Sequence, residues 1–413
     1  MRSEEATVNL KDLFEPTRIL LGSFFVVFLL NAVLRRRRLG PFDNTEKFAC
    51  IFALMLIASA LFLSKRTAFS LRIACDAFII PFVAYFCARR LVMGEDQLRR
   101  LVRVFGYLGV ALIGIGLVER LTTPGLFSRV EGPFEGRDAL YIVMVVVFFT
   151  VLVDWIRSRR IPDNEKQLPP VVQKFVLSLA PVVVLLGWGR GNVVALLSGI
   201  WIFVFLGLRL LDFRPKIAMA GLLFLLGPIM ALALYEMTPQ EIVESRLART
   251  STVYSRLGAW QNIIDEIAKS PVFGIGLNNL RDALDQTTSY VEGVKSETHA
   301  HNSPLSLLAE LGLVGFLVFA AIVGSIIRTG LNLYRTGPNI WDRWRGIAIV
   351  AIMGSYVVSS LFANTLYIPA VSHVYIYMLV GGVAGMYGRQ RAVSALSRSR
   401  NSRWIAAKMP AGI

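Results

Sequence analysis

The sequence predicts an all-α membrane protein: a polytopic bundle of about eleven to twelve transmembrane helices with one large helical loop outside the bilayer. Three observations predict this fold. Hydrophobic residues make up 55% of the 413 residues and charged residues only 17%, a share too low for a soluble domain. Apolar stretches long enough to cross a hydrocarbon core of ~30 Å as helices recur along the chain. A long polar segment, residues 236–303, interrupts them.

The apolar runs predict eleven spans. Their ranges are 14–34, 46–63, 69–88, 101–118, 138–156, 171–188, 192–209, 216–235, 304–327, 346–368 and 371–388. The chain thereby divides into four parts: an N-terminal transmembrane bundle (1–235), a periplasmic loop with an amphipathic helix (236–303), C-terminal transmembrane helices (304–388) and a basic cytoplasmic tail (389–413).

The basic residues predict the orientation of these spans. Of the 44 Lys and Arg residues, 28 lie in alternate connections on one side, namely 35–47, 89–103, 157–174, 209–216, 328–345 and the tail from Arg389. Positive charge marks the cytoplasmic side of membrane proteins, so the 236–303 loop is expected outside and the C-terminus inside. The net charge of +16 is then a topology signal, and nucleic acid is not expected as a partner.

Within the outer loop, an amphipathic helix is predicted to begin at Ser255, a suitable N-cap, and to stop at Pro271. Its apolar positions follow helical spacing: Leu257, Trp260, Ile264 and Ile267. Arg256 and Trp260 are four residues apart and therefore share one side of this helix.

His301 stands directly before the ninth predicted span, in the stretch HAHNSP. Asn302 or Ser303 can cap that helix, and Pro304 suits its first turn. The positive end of the helix dipole favours neutral imidazole, which can accept a proton. Two interpretations are open: His301 is a general base, or it is an interfacial residue at the cap. His299 is expected to be its neighbour.

Four arginines are predicted on the same outer side as His301. Arg190 lies in a glycine-rich turn, GWGRGN, and Arg246, Arg249 and Arg256 lie in the loop. Guanidinium groups match phosphate oxygens in pairs of hydrogen bonds and keep their charge, so this set suits a diphosphate. The alternative for Arg190 is a snorkelling interfacial arginine.

Other polar residues within the spans have simpler interpretations. Arg72 and Asp76 are four residues apart on one helix and are expected to neutralise each other. Glu310 lies about two turns into the ninth span, where a carboxylate is costly, and could orient an arginine or activate an acceptor. The three cysteines show no spacing typical of a metal site or a disulfide framework. Neither a metal nor a cofactor is expected.

The order of these motifs resembles the O-antigen ligase and polymerase superfamily of membrane glycosyltransferases. The resemblance rests on the GRG turn at 189–191, on YSRLGAW and SPVFGIGLNNL in the loop, and on HAHNSPLSLLAELGLVG, and it is specific over about residues 188–191 and 246–315. Gly189 stands where a serine is usual, and eleven predicted spans stand where about twelve are typical.

The resemblance implies a bacterial inner-membrane enzyme with its active site facing the periplasm. By position, the family's functional arginines correspond to Arg190 and Arg256, which would hold the diphosphate of an undecaprenyl-linked glycan. Its His-Asn motif corresponds to His301 and Asn302, and the histidine would assist attack by a sugar hydroxyl, with inversion and without metal. Catalysis is thus expected of His301, Arg256 and Arg190, and substrate binding of Arg246, Arg249, Asn302, Trp260 and His299.

The resulting expectation is a polymerase of undecaprenyl-diphosphate-linked repeat units, working in the lipid membrane beside a chain-length regulator and a flippase. One alternative is a ligase that transfers the glycan to the lipid A core. An alternative of another class is a transporter of the lipid-linked sugar. The polar residues favour an enzyme, because they concentrate at one face of the membrane, whereas transporters place them near its midplane.

Overall fold

The structure is a computed structural model that describes residues 41–92, 94–122, 137–160, 168–186, 190–210, 251–286, 290–291, 294–295, 300–363, 365 and 371–408. Nearly all of these residues are helical. The helices, in chain order, are α1 (Asn44–Phe62), α2 (Thr67–Leu91), α3 (Glu95–Thr122), α4 (Arg137–Ser158), α5 (Pro170–Leu186), α6 (Arg190–Gly207), α7 (Ser251–Lys269), α8 (Leu280–Gln286), α9 (Ser303–Thr336), α10 (Ile340–Phe362) and α11 (Val371–Lys408). Two strands of two residues each, β1 (Tyr290–Val291) and β2 (Val294–Lys295), pair in antiparallel fashion.

Seven helices in the described part of the chain are long and apolar enough to cross a membrane: α1, α2, α3, α4, α6, α9 and α10. Helix α5 is apolar but shorter. The polytopic all-α fold is therefore confirmed. The predicted spans 14–34 and 216–235 lie outside the described residues, and each of the other nine corresponds to one helix from α1 to α6 or from α9 to α11.

Several predicted boundaries were wrong. Helix α10 covers 340–362 rather than 346–368, because Asn339 caps it by accepting a hydrogen bond from the Asp342 amide and its polar first turn weakens the apolar signal. Helices α9 and α11 continue to Thr336 and Lys408, since polar helix-forming residues extend a helix that hydropathy alone would end. Ser255 is not an N-cap: the described part of α7 begins at Ser251, and Ser255 is buried inside the helix.

The helices approach each other closely at positions occupied by small residues. In α11, a Cβ on Gly381 or Gly385 would collide with the main chain of Tyr85 and Arg89 in α2, so these two helices pack almost backbone to backbone, as is common in membranes. Helix α1 runs antiparallel to α9, since Thr45 hydrogen-bonds Ser325 at 2.7 Å and the rings of Phe52 and Phe319 lie 5.4 Å apart.

Buried and half-buried ion pairs join the helices at the end of the bundle opposite His301. Glu95 of α3 pairs with three arginines from α3, α4 and α10, namely Arg99, Arg157 and Arg345. Glu46 of α1 pairs with both Arg89 and Arg90 of α2. Such pairs satisfy charges that would be expensive to bury alone, and they tie together helices that are distant in sequence.

Helix α9 is broken at Gly312, where the backbone adopts φ 65° and ψ −173°. The segment that follows α7 occupies the break. The Ile275 and Gly276 amides donate hydrogen bonds to the Ala309 and Glu310 carbonyls of α9. In the other direction, the Leu313 and Val314 amides of α9 donate to the Pro271 and Val272 carbonyls. The four N–O distances are 2.9–3.2 Å. The inserted segment thus satisfies main-chain groups that the break leaves without helical partners.

Candidate functional site

His301 lies immediately before α9 in a left-handed conformation, with φ 44°. This conformation is uncommon for a residue other than glycine and is characteristic of turns and functional sites. Asn302 then adopts an extended conformation and caps α9, its side-chain oxygen accepting a hydrogen bond from the Leu305 amide at 3.0 Å. The predicted cap is confirmed, and the half-buried His301 side chain is set at a bend in the chain.

Trp260 connects α7 to the residue before His301. Its indole Nε1 donates a hydrogen bond to the Ala300 carbonyl at 2.7 Å, and its ring packs on the small core of Ile263, Leu280 and Ala300 beneath α7. Arg256 lies one helical turn earlier on the same side of α7. Its Nε atom is buried and has no hydrogen-bond partner within the described part of the chain.

The Arg190 turn lies at the same end of the bundle as His301, and the end of α10 contacts both. Arg190 is the first residue of α6, and a Cβ on Gly191 would lie only 2.6 Å from the Cβ of Phe362, the last residue of α10. The next residue, Ala363, accepts a hydrogen bond from the Ser303 hydroxyl at 2.8 Å. The backbone of Arg190 and the start of α9 therefore meet across the end of α10.

Asn192 is a residue of this junction that the sequence analysis missed. It is almost fully buried, its amide donates to Asp138 of α4 at 2.7 Å, and its side-chain oxygen accepts from Ser359 of α10 at 3.0 Å. It thus ties three helices together two residues after Arg190. An amide in the first turn of an otherwise apolar helix was the only available signal.

The remaining predicted residues have different outcomes. Arg246, Arg249 and His299 lie outside the described residues, as does the side chain of Arg190. Arg72 and Asp76 form the expected pair, with Nε and Oδ2 3.7 Å apart. Glu310 is buried beside the helix break and accepts a hydrogen bond from the Leu280 amide at 3.4 Å, so one of its contacts holds the start of α8.

A cavity of about 730 Å³ lies away from these residues, at the opposite end of the bundle. Arg89 lines it, but this arginine already pairs with Asp43 and Glu46. The position of His301 and Arg256 is the better guide to chemistry, because the buried Nε of Arg256 has no hydrogen-bond partner within the described residues and Trp260 joins its helix to the residue before His301. The cavity instead combines small and hydroxyl-bearing side chains with charges that are partly paired.

This arrangement has the chemical parts of a transfer site for an anionic donor. A guanidinium can stabilise negative charge that develops on a departing phosphate oxygen. An imidazole held at a helix start can position or accept the proton of an attacking hydroxyl. Arg256 and His301 belong to different elements, and the Trp260–Ala300 hydrogen bond sets the spacing between those elements.

Two comparisons with known proteins agree with each other. A protein-family model described as O-antigen ligase matches residues 133–320, a range that includes Arg190, Arg256 and His301. A Rickettsia conorii protein named "Putative polysaccharide ligase" is 22% identical over 326 residues, which cover 76% of this chain and 71% of the relative.

The fold and these matches define the class of protein, a multi-pass membrane enzyme of the glycosyltransferase type. Both matches support the O-antigen ligase superfamily, which the motifs around Arg190 and His301 resemble.

Proposed function

We propose that this enzyme transfers a glycan from an undecaprenyl-diphosphate-linked donor to an acceptor hydroxyl, with inversion, at the periplasmic face of a bacterial inner membrane. Arg256 and Arg190 bind the diphosphate, assisted by Arg246 and Arg249, and His301 acts on the attacking hydroxyl. The observation that carries this proposal is the Trp260–Ala300 hydrogen bond, which sets Arg256 and His301 on two elements that are joined to each other.

Two acceptors fit this chemistry. The sequence motifs favour another lipid-linked repeat unit, which would make the enzyme a polymerase that works with a chain-length regulator and a flippase. The family description and the relative's name both say ligase, which supports transfer to the lipid A core at least as well. Both reactions use the same donor site, so the residues proposed for the donor apply to either.

Reconstitution separates the acceptors. The purified protein in proteoliposomes receives a synthetic polyprenyl-diphosphate glycan together with either a second lipid-linked glycan or lipid A core. Growth of the lipid-linked chain supports the polymerase, and labelled lipid A core supports the ligase. Movement of the intact donor across the bilayer with no new glycosidic bond would contradict both and support the transporter.

A deletion strain provides the cellular counterpart of this experiment. Loss of long-chain exopolysaccharide with intact lipopolysaccharide is expected for a polymerase. Loss of the glycan from lipopolysaccharide, with the lipid-linked polymer still present, is expected for a ligase.

A further inference from the structure

The segment between α7 and α8 contacts α9 deeper in the membrane than a loop surrounded by water would. It was predicted as part of the outer loop 236–303. Its carbonyl groups at Pro271 and Val272 nevertheless accept hydrogen bonds from Leu313 and Val314, well inside a helix long and apolar enough to span the membrane. The depth of this contact can be judged from two independent features.

The first feature is the charge pattern of α9. After Glu310, the first charged residue is Arg328. A hydrocarbon core of ~30 Å takes about 20 helical residues, so counting back from Arg328 places the opposite boundary near Leu308.

The second feature is α1. Its antiparallel register with α9, given by Thr45 with Ser325 and Phe52 with Phe319, places its end at Phe62 level with Leu308. Lys65 and Arg66 follow after two further residues, and charged side chains near a helix end lie at or beyond the hydrocarbon boundary on either side of a membrane. At a rise of 1.5 Å per residue, Leu313 and Val314 lie about 8 Å below this level.

The side chains at this depth are apolar and uncovered. Val272 is 48% exposed and Phe273 65%, beside Leu313 at 50%. Because main-chain hydrogen bonds join the two segments, these side chains continue the apolar surface of a spanning helix. The nearest charged residues at the end of α7, Lys269 and Glu266, pair with each other at 2.6 Å. The apolar surface formed by Val272, Phe273 and Leu313 therefore fits lipid rather than water.

We infer that Pro271–Phe273 is a shallow membrane wedge, in which Val272 and Phe273 contact the acyl chains of the leaflet beside His301. The wedge fixes the height of α7 relative to the bilayer, and with it the height of Arg256. This inference does not depend on the proposed function, because the contact with lipid would exist for any activity of the chain.

Spin-label depth measurements test the wedge in protein lacking Cys50, Cys75 and Cys87 and reconstituted in liposomes. Single cysteines are introduced as Phe273→Cys and Val272→Cys. Leu313→Cys is the reference for lipid, and Gln261→Cys, on the exposed side of α7, is the reference for water. Collisions with oxygen report lipid exposure, and collisions with a water-soluble nickel chelate report aqueous exposure.

The labels at 272 and 273 are expected to resemble the Leu313 label, colliding with oxygen more than with the nickel chelate, at a depth of about 5–10 Å. Labels at both positions that collide with the chelate as often as the Gln261 label would overturn the wedge. The two reference positions confirm in the same preparation that the protein is inserted, so a folding failure is recognised separately.

Discussion

His301 is the residue on which the proposed chemistry depends most directly. It occupies a left-handed conformation at the start of α9, and Trp260 binds the carbonyl of the residue before it. A structural residue at such a position could be replaced by glycine, which adopts left-handed conformations without steric strain. A base could not, because glycine has no side chain to receive a proton.

His301→Ala and His301→Gly are both expected to abolish glycan transfer while the protein inserts at normal abundance. The measurement is transfer by purified, reconstituted variants. Asn278→Ala is the matched control, because Asn278 also has a positive φ, 63°, and is not proposed to act in the reaction. Transfer near the wild-type rate by His301→Gly would show that His301 has a structural role.

The arginines can be tested without removing their charge. Lysine at Arg190 or Arg256 retains the charge but loses the paired N–H donors that match a diphosphate. Loss of one charge-assisted hydrogen bond costs roughly 1.5–3 kcal/mol, and each 1.36 kcal/mol is a factor of ten in rate. Arg190→Lys and Arg256→Lys are therefore each expected to slow transfer about ten- to a hundred-fold, partly through weaker donor binding.

Transfer measured across donor concentrations checks this expectation. Arg281→Lys is the control, since Arg281 is exposed on the neighbouring helix α8, and it should leave transfer unchanged. Wild-type rates in both Arg190→Lys and Arg256→Lys would mean that other residues hold the diphosphate.

At the scale of elements, the site depends on junctions between helix ends. Asn192 joins the starts of α4 and α6 to the last turns of α10, directly beside the Arg190 turn. The amide-to-carboxylate hydrogen bond between Asn192 and Asp138 can be reversed, because exchanging the two residues keeps one amide and one carboxylate.

Asn192→Asp alone is expected to reduce donor binding and transfer about tenfold or more, because it places a second carboxylate against Asp138 and leaves a buried hydrogen bond unmade. Adding Asp138→Asn should restore most of both. Ser198→Ala, on an exposed face of α6, is the control for substitution in this helix. If the double exchange recovers nothing, the pair does not position the Arg190 turn.

The break in α9 is the second junction. A Cβ at Gly312 would collide with the Val272 carbonyl, and the positive φ is unfavourable for alanine. Gly312→Ala is therefore expected to destabilise the protein by about 1–2 kcal/mol or more and to release the segment 271–277. In Gly324→Ala, the control in the same helix, the added Cβ meets no atom within 4 Å.

The measurement is the thermal midpoint of the purified variants, together with hydrogen exchange at Ile275 and Gly276, whose amides bond to α9. A lower midpoint and faster exchange are expected for Gly312→Ala only. Equal behaviour of the two variants would mean that the inserted segment does not depend on the break.

At the scale of the whole molecule, the proposed periplasmic site requires that α8 and the start of α10 lie on opposite sides of the membrane. In protein lacking its three cysteines, Asp285→Cys should react with a membrane-impermeant thiol reagent in intact spheroplasts. Arg343→Cys should react only after disruption. Both positions are exposed. The reverse pattern would place His301 and Arg256 in the cytoplasm and overturn the mechanism.

The sequence by itself determined the class of fold and supplied the residues of the proposed site. Hydrophobic runs as long as a bilayer is thick can satisfy their backbone groups in lipid only as helices or as closed barrels, so nine helices could be located along the chain, although α9 and α11 extend well beyond their predicted ends. Local motifs such as Asn302 before Pro304 also predicted the cap of α9, since a cap depends on neighbouring residues alone.

Only the tertiary structure decided which helix ends meet. Asn192 with Asp138, Ser303 with Ala363 and Gly312 with Val272 join residues far apart in sequence, and no periodicity carries that information. The sequence likewise suggested an uninterrupted ninth span, because an apolar run does not reveal that another segment will supply its hydrogen bonds. The physical reason is that hydropathy reports where a segment is buried, whereas the partner of each buried polar group depends on how the helices pack.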